Sequence, residues 1–184
     1  MKNKLLFTFV FITILHSINV SSQNSRKEYG ITAGVLDKGV GANFLYKSYS
    51  SNEGKYFKLD LLVTVGNQTI TSENIIVPHK GVFLNAGYYF STFDINRGAF
   101  VLSTGLGVSL GYQQINNGKK ELSNGGLITS KDTIVYGGYL GFDLSIFLSD
   151  SWSIHLNGTQ YIYANSNLGS GYPYVGGGLV YTLF

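Results

Sequence analysis

The chain has 184 residues, 44% of them hydrophobic, 15% aromatic and only 12% charged, with a formal net charge of +3. That length suits one domain. The hydrophobicity excludes a disordered chain, and no run reaches the roughly 18 apolar residues of a membrane helix.

The N-terminus differs in character from the rest of the chain. "MKNK" is short and basic, "LLFTFVFITIL" is apolar, and "HSINVSS" is small and polar. This three-part layout predicts a secretory signal peptide over residues 1–22, cleaved after Ser22 or the neighbouring Ser21. Residues 23–184 then form one exported domain. Lys2 and Lys4 leave with the signal, so Lys+Arg falls from 13 to 11 against 10 acids and the mature chain is near +1. A basic surface for nucleic acid therefore has little support, and direct nucleic-acid binding is not expected. With no cysteine, neither a disulfide framework nor a lipid-modified cysteine is possible.

Eight strands are predicted, centred near Ile31, Leu45, Leu61, Leu84, Leu106, Leu140, Leu156 and Leu179. Strand side chains alternate between two faces. In "YFKLDLLVTVG" the residues Phe57, Leu59, Leu61, Val63 and Val65 share one face, with Lys58, Asp60, Leu62, Thr64 and Gly66 on the other. "AFVLSTGLGVSLGY" sets Leu106, Val108, Leu110 and Tyr112 against Ser103, Gly105, Gly107, Ser109 and Gly111. In "TIVYGGYLGFDLSIF", Leu140, Phe142 and Leu144 oppose Gly141, Asp143 and Ser145; in "SWSIHLNGTQYIY", Trp152, Ile154 and Leu156 oppose Ser153, His155 and Asn157. Several segments match the roughly 9–11 residues that cross a bilayer at a tilt. "LDKG", "SSNEG", "FDINRG" and "LSDS" read as short turns. "NQTITSENIIVPHK", "QQINNGKKELSNGGLITSKD" and "ANSNLGSG" read as long connections. With both termini on the inner side, three of four outer loops are long and all inner turns short, as in outer-membrane barrels.

These features predict an all-β fold, a transmembrane up-and-down antiparallel β-barrel of about eight strands. The rival is a soluble lipocalin-like barrel or sandwich, with the apolar face inward. Two observations oppose it. A face of Ser103, Gly105, Gly107, Ser109 and Gly111 is a poor solvated surface. Aromatics also fall near segment ends (Tyr29, Tyr88, Tyr89, Tyr112, Trp152, Tyr161, Tyr163, Tyr172, Tyr174), where interfacial girdles belong.

An eight-stranded barrel is filled by its own side chains, so it cannot pass DNA or protein. Lys58, Asp60 and Asp143 fall on the inward parity, and such buried charges need partners. Either they form a pairing network that fixes register, or they line a proton or solute path. In the terminal "GGGLVYTLF", Leu179, Tyr181 and Leu183 share the lipid-facing parity, with Phe184 one step beyond.

Signs of catalysis are weak. "GLGVSLG" lies inside a strand pattern instead of joining a strand to a helix, so it does not match a phosphate loop. His79 and His155 stand without neighbours at metal-ligand spacing. No serine has the glycine-flanked nucleophile turn. Neither enzymatic activity, cofactor nor metal is expected.

From Gly111 to Gly158 the sequence resembles the TraO family of Bacteroidetes conjugative transposons. The likeness is carried by Gly111-Tyr112, Ile115-Asn116 with Gly118, Ser130 and Asp132, Tyr136-Gly137, Leu148-Ser149-Asp150, and Leu156 with Gly158. The leader, the length, Pro78 and the Gly-rich, aromatic C-terminus also fit. The resemblance implies a component of conjugative transfer machinery, with other proteins of the mating apparatus as partners alongside outer-membrane lipids. It supplies no catalytic residues. A stand-alone barrel for adhesion or envelope integrity, and a soluble periplasmic carrier of an apolar ligand, are the alternatives. The long 113–132 segment, with Lys119, Lys120, Glu121, Lys131 and Asp132, is either a solvated surface loop or a contact site.

Overall fold

The computed structural model describes residues 26–50, 54–70, 75–95, 99–119, 132–166 and 169–184. The predicted signal and most of the 113–132 segment lie outside them. Eight strands run in chain order: β1 (Lys27–Leu36), β2 (Gly39–Tyr49), β3 (Lys55–Ile70), β4 (Ile75–Ile95), β5 (Phe100–Ile115), β6 (Thr133–Phe147), β7 (Trp152–Tyr163) and β8 (Gly171–Leu183). All eight predicted centres fall inside them. Each strand pairs antiparallel with the next, and β8 returns to β1 from Lys27↔Leu183 to Leu36↔Tyr174, closing the barrel. Closure leaves no edge carrying unpaired backbone groups, the condition for a sheet in lipid.

The alternation resolves into an inside and an outside. Leu106 is 62% exposed and Phe142 57%, whereas Ser103, Ser109 and Asp143 are buried. The polarity is the reverse of a soluble protein's, and the exterior is an apolar belt suited to lipid. A lipocalin-like barrel, apolar within and polar without, does not match this arrangement. On β8, Leu179, Tyr181 and Leu183 point outward, while Val180 and Thr182 are buried; Phe184 lies beyond the strand, fully exposed.

Two expectations need correction. The "NQTITSENIIVPHK" segment is mostly strand: β3 runs to Ile70 and β4 starts at Ile75, with Asn67↔Pro78 through Ile70↔Ile75 paired. Thr and Ile favour extended backbone, and the hairpin continues past the last β2 partner, Gly39↔Gly66. The β5 ladder likewise takes in Gln113, Gln114 and Ile115, followed by a 3-10 turn over Asn116–Gly118.

The second correction concerns the aromatics. Tyr29, Tyr88, Tyr112 and Trp152 face outward, but Tyr89, Tyr161, Tyr163, Tyr172 and Tyr174 are buried inside the barrel. Adjacent Tyr88 and Tyr89 cannot share a face, and Tyr161 and Tyr163 follow the inward parity of His155 and Asn157. An outer girdle nonetheless exists near the termini. Tyr46, Tyr29, Tyr181 and Trp152 form one row across β2, β1, β8 and β7. Their ring centroids lie 5.2 Å apart for Tyr29 and Tyr46, and 5.0 Å for Trp152 and Tyr181.

The inward glycines make room for these rings. A methyl group at Gly105 would strike the ring of Tyr89, one at Gly107 the ring of Tyr139, and one at Gly111 the ring of Phe83. The small face of β5 is therefore the floor on which the interior aromatics lie.

Candidate functional site in the barrel interior

Near the end where the termini lie, the interior is filled by charge. The predicted residues Lys58, Asp60 and Asp143 are all buried there. Lys58 donates to both carboxylate oxygens of Asp143, at 2.9 and 3.1 Å, and its Nζ lies 4.0 Å from Asp60 Oδ2. The Asp60 carboxylate also accepts a 2.6 Å hydrogen bond from Asn85 Nδ2. Tyr56 donates its hydroxyl to Asp143 at 2.9 Å.

Parity extends this group beyond the three residues. Lys47 Nζ stands 3.7 Å from Asp143 and 3.6 Å from Glu28, and Glu28 pairs with Arg26 at the strand entrance. Three cations thus face three anions in one chain of contacts: Arg26, Glu28, Lys47, Asp143, Lys58, Asp60. His155 joins it, with Nδ1 3.3 Å from Lys47 Nζ and Nε2 3.5 Å from Asp143 Oδ1. Desolvating an ion is expensive, and balanced pairing with extra hydrogen bonds offsets that penalty. Lys47 and Lys58 also rest over the rings of Tyr56 and Tyr89, each at 4.9 Å, a contact favourable to a desolvated cation.

Glu28, Lys47 and Arg26 are the members that sequence reasoning missed. Glu28 lies opposite in parity to Tyr29 and Ile31, and Lys47 opposite to Phe44, so alternation alone could have placed both inward. The weak patterning of the first two strands concealed it.

Toward the opposite end aromatics replace the charges. Tyr56 and Tyr89 stack at 5.2 Å among the charges, and Tyr139, Tyr161, Tyr163, Phe83 and Tyr172 form a further series at 5.5–6.0 Å. A cavity lined by Leu62, Thr64, His79, Phe83, Gln113 and Tyr163 measures about 10 Å³, space for about one water. No group of three or more His, Cys, Asp or Glu among the described residues could hold a metal ion. Chemically, the arrangement can lock strand register and block passage.

A family model described as conjugative transposon protein TraO matches residues 16–183. No curated protein matches the sequence. Among solved structures, the chain is similar to Ail, the attachment invasion locus protein of Yersinia pestis, at 15% identity and TM-score 0.53, covering 86% of this chain and 97% of that one. It is also similar to the N-terminal β-barrel domain of Pseudomonas aeruginosa OprF, at 12% identity and TM-score 0.52, covering 88% and 98%. A major outer membrane protein from Thermus thermophilus aligns at 10% identity and TM-score 0.54, covering 88% and 100%. At these identities the likeness is one of fold: an eight-stranded barrel of the outer-membrane type.

Proposed function

The chain belongs to the TraO family of conjugative transposon proteins, and from that premise we propose that it is an outer-membrane barrel of the conjugative transfer apparatus, serving as an anchor or assembly partner and not as the DNA conduit. The observation that carries the second half is the filled interior. Buried ion pairs occupy one end and stacked tyrosines the other, with space for about one water beside His79. DNA would pass elsewhere in the apparatus. The protein carries out no chemistry on this reading.

The β2–β3, β4–β5 and β6–β7 turns lie at the end that carries the termini, and the longest connection, between β5 and β6, lies at the other. By the usual asymmetry of such barrels the terminal end would face the periplasm. Residues 148–151 and the end of the β4–β5 hairpin would then meet periplasmic partners. Leu148, Phe93 and Ile95, each more than 60% exposed, supply apolar contacts there.

Deleting the gene from a donor strain and measuring transfer frequency tests the role. A loss of transfer restored by the intact gene supports it, and unchanged transfer from the deletion strain refutes it. Fractionation tests the location: the protein should pellet with outer membranes and need detergent for release.

A further inference from the structure

Beyond the barrel's part in conjugation, its outer wall carries a groove of about 540 Å³ lined by Lys38, Val40, Val65, Asn67, Pro78, Lys80 and backbone between them. The groove arises because the wall is stepped. The β1–β2 turn ends at Gly39, paired with Gly66, while β3 and β4 continue upward as a hairpin. The backbone of Lys38 is fixed against that hairpin, its carbonyl accepting from Asn67 N at 3.1 Å.

The side chains around it are ordered by height. Val40, Val65 and Lys80 are successive cross-strand partners and form one outward row. The next row toward the termini is Ala42, Val63, Val82 and Tyr112, and the one after it Phe44, Leu61, Leu84 and Leu110. Successive outward rows lie about 7 Å apart along a strand. Two lysines therefore crown a continuous apolar wall, and among the described residues no acid lines the groove: Asp37, the neighbouring acid in the turn, does not line it. Behind this wall His79 lies on the inward parity, 6% exposed, bordering both the groove and the interior cavity. Its ring sits where a side chain on Gly66 would otherwise project.

We propose that this groove binds the net-anionic phosphate headgroup of a lipid in the leaflet at the loop end of the barrel, with the phosphate held by Lys38 and Lys80 and the acyl chains laid on the Val63, Val82 and Leu84 wall. The charge is complementary, and the height relation matches an anionic amphiphile: cation above, hydrocarbon below. A soluble anion would use the lysines alone and gain nothing from the rows beneath them.

The test uses the full chain purified in a neutral detergent, with retained lipid followed by native mass spectrometry. Dimyristoyl phosphatidic acid should be retained over dimyristoyl phosphatidylcholine by about 25-fold, two lysines near a surface each contributing about fivefold. The K38Q/K80Q variant should lose that preference, and K38R/K80R should keep it. Lys55→Gln, at the opposite rim, should leave it unchanged. Equal retention of the two lipids by the unaltered chain, or an undiminished preference in K38Q/K80Q, overturns the proposal. Displacement of phosphatidic acid by inorganic phosphate at matching affinity would assign the groove to free phosphate and overturn it as well.

Discussion

The two halves of the barrel interior solve the same packing problem by different means. The half near the termini is filled by opposite charges that must find one another, from Arg26 through Asp143 to Asp60. The other half is filled by rings that need only volume, and the glycines of β4, β5 and β6 provide it. Charge pairing is directional and fails when one partner is lost. Ring-on-glycine packing depends on size and fails when the glycine grows. Both fill the interior among the described residues, so on the proposed reading occlusion does not depend on a single plug residue.

The largest expected effect comes from unbalancing the charged half. Asp143→Asn deprives Lys58 and Lys47 of a shared anion and should cost about 3–5 kcal/mol, measured by urea unfolding in lipid vesicles. Replacing the pair together, as Lys58→Met with Asp143→Leu, should recover most of the loss, because paired apolar replacements are commonly tolerated. If Asp143→Asn folds with unaltered stability, the charges are not what holds this half together, and a solute or proton path becomes the better reading.

A polarity inversion on the outer wall comes next. Leu106 lies between Gly105 and Gly107 on the lipid side of the aromatic half, and Leu106→Arg should cost about 2–4 kcal/mol if it sits near the midplane. Heat-modifiable gel migration and vesicle refolding would register it. Gly105→Ala, one residue away and facing inward, should cost about 1–3 kcal/mol through overpacking against Tyr89. Adding Tyr89→Leu to that variant should recover part of the loss, whereas the same addition to Asp143→Asn should not. Equal rescue in both backgrounds would erase the distinction between the halves. The smallest effect is Tyr174→Phe, which removes a hydroxyl 3.4 Å from Thr32 Oγ1 and should cost no more than about 0.5–1.5 kcal/mol.

The two halves also differ in how far they can be read from sequence. Inward charge is visible in one strand at a time, so Lys58, Asp60 and Asp143 can be placed by parity, as can the outward Leu179, Tyr181 and Leu183. What parity cannot say is which charges meet: the Lys58–Asp143 pair spans β3 and β6, and its geometry follows from barrel closure. The aromatic half is less legible for a related reason. Tyr89, Tyr161 and Tyr163 sit where sequence position suggests a girdle, but the glycines under the Tyr89 ring, Gly105 and Gly141, lie on other strands and register alone brings them together. The upper β3–β4 hairpin is hidden because Asn67, Gln68 and Pro78 read as loop residues, although the ladder continues from Asn67↔Pro78 to Ile70↔Ile75.

Ion conductance across a planar bilayer tests the central claim most directly, because a closed bore should insulate. The reconstituted full chain should insert with native heat-modifiable migration and produce no steady conductance steps above the bare membrane. Stable, uniform open-channel steps from the folded protein would contradict a filled interior and reopen the barrel as a conduit.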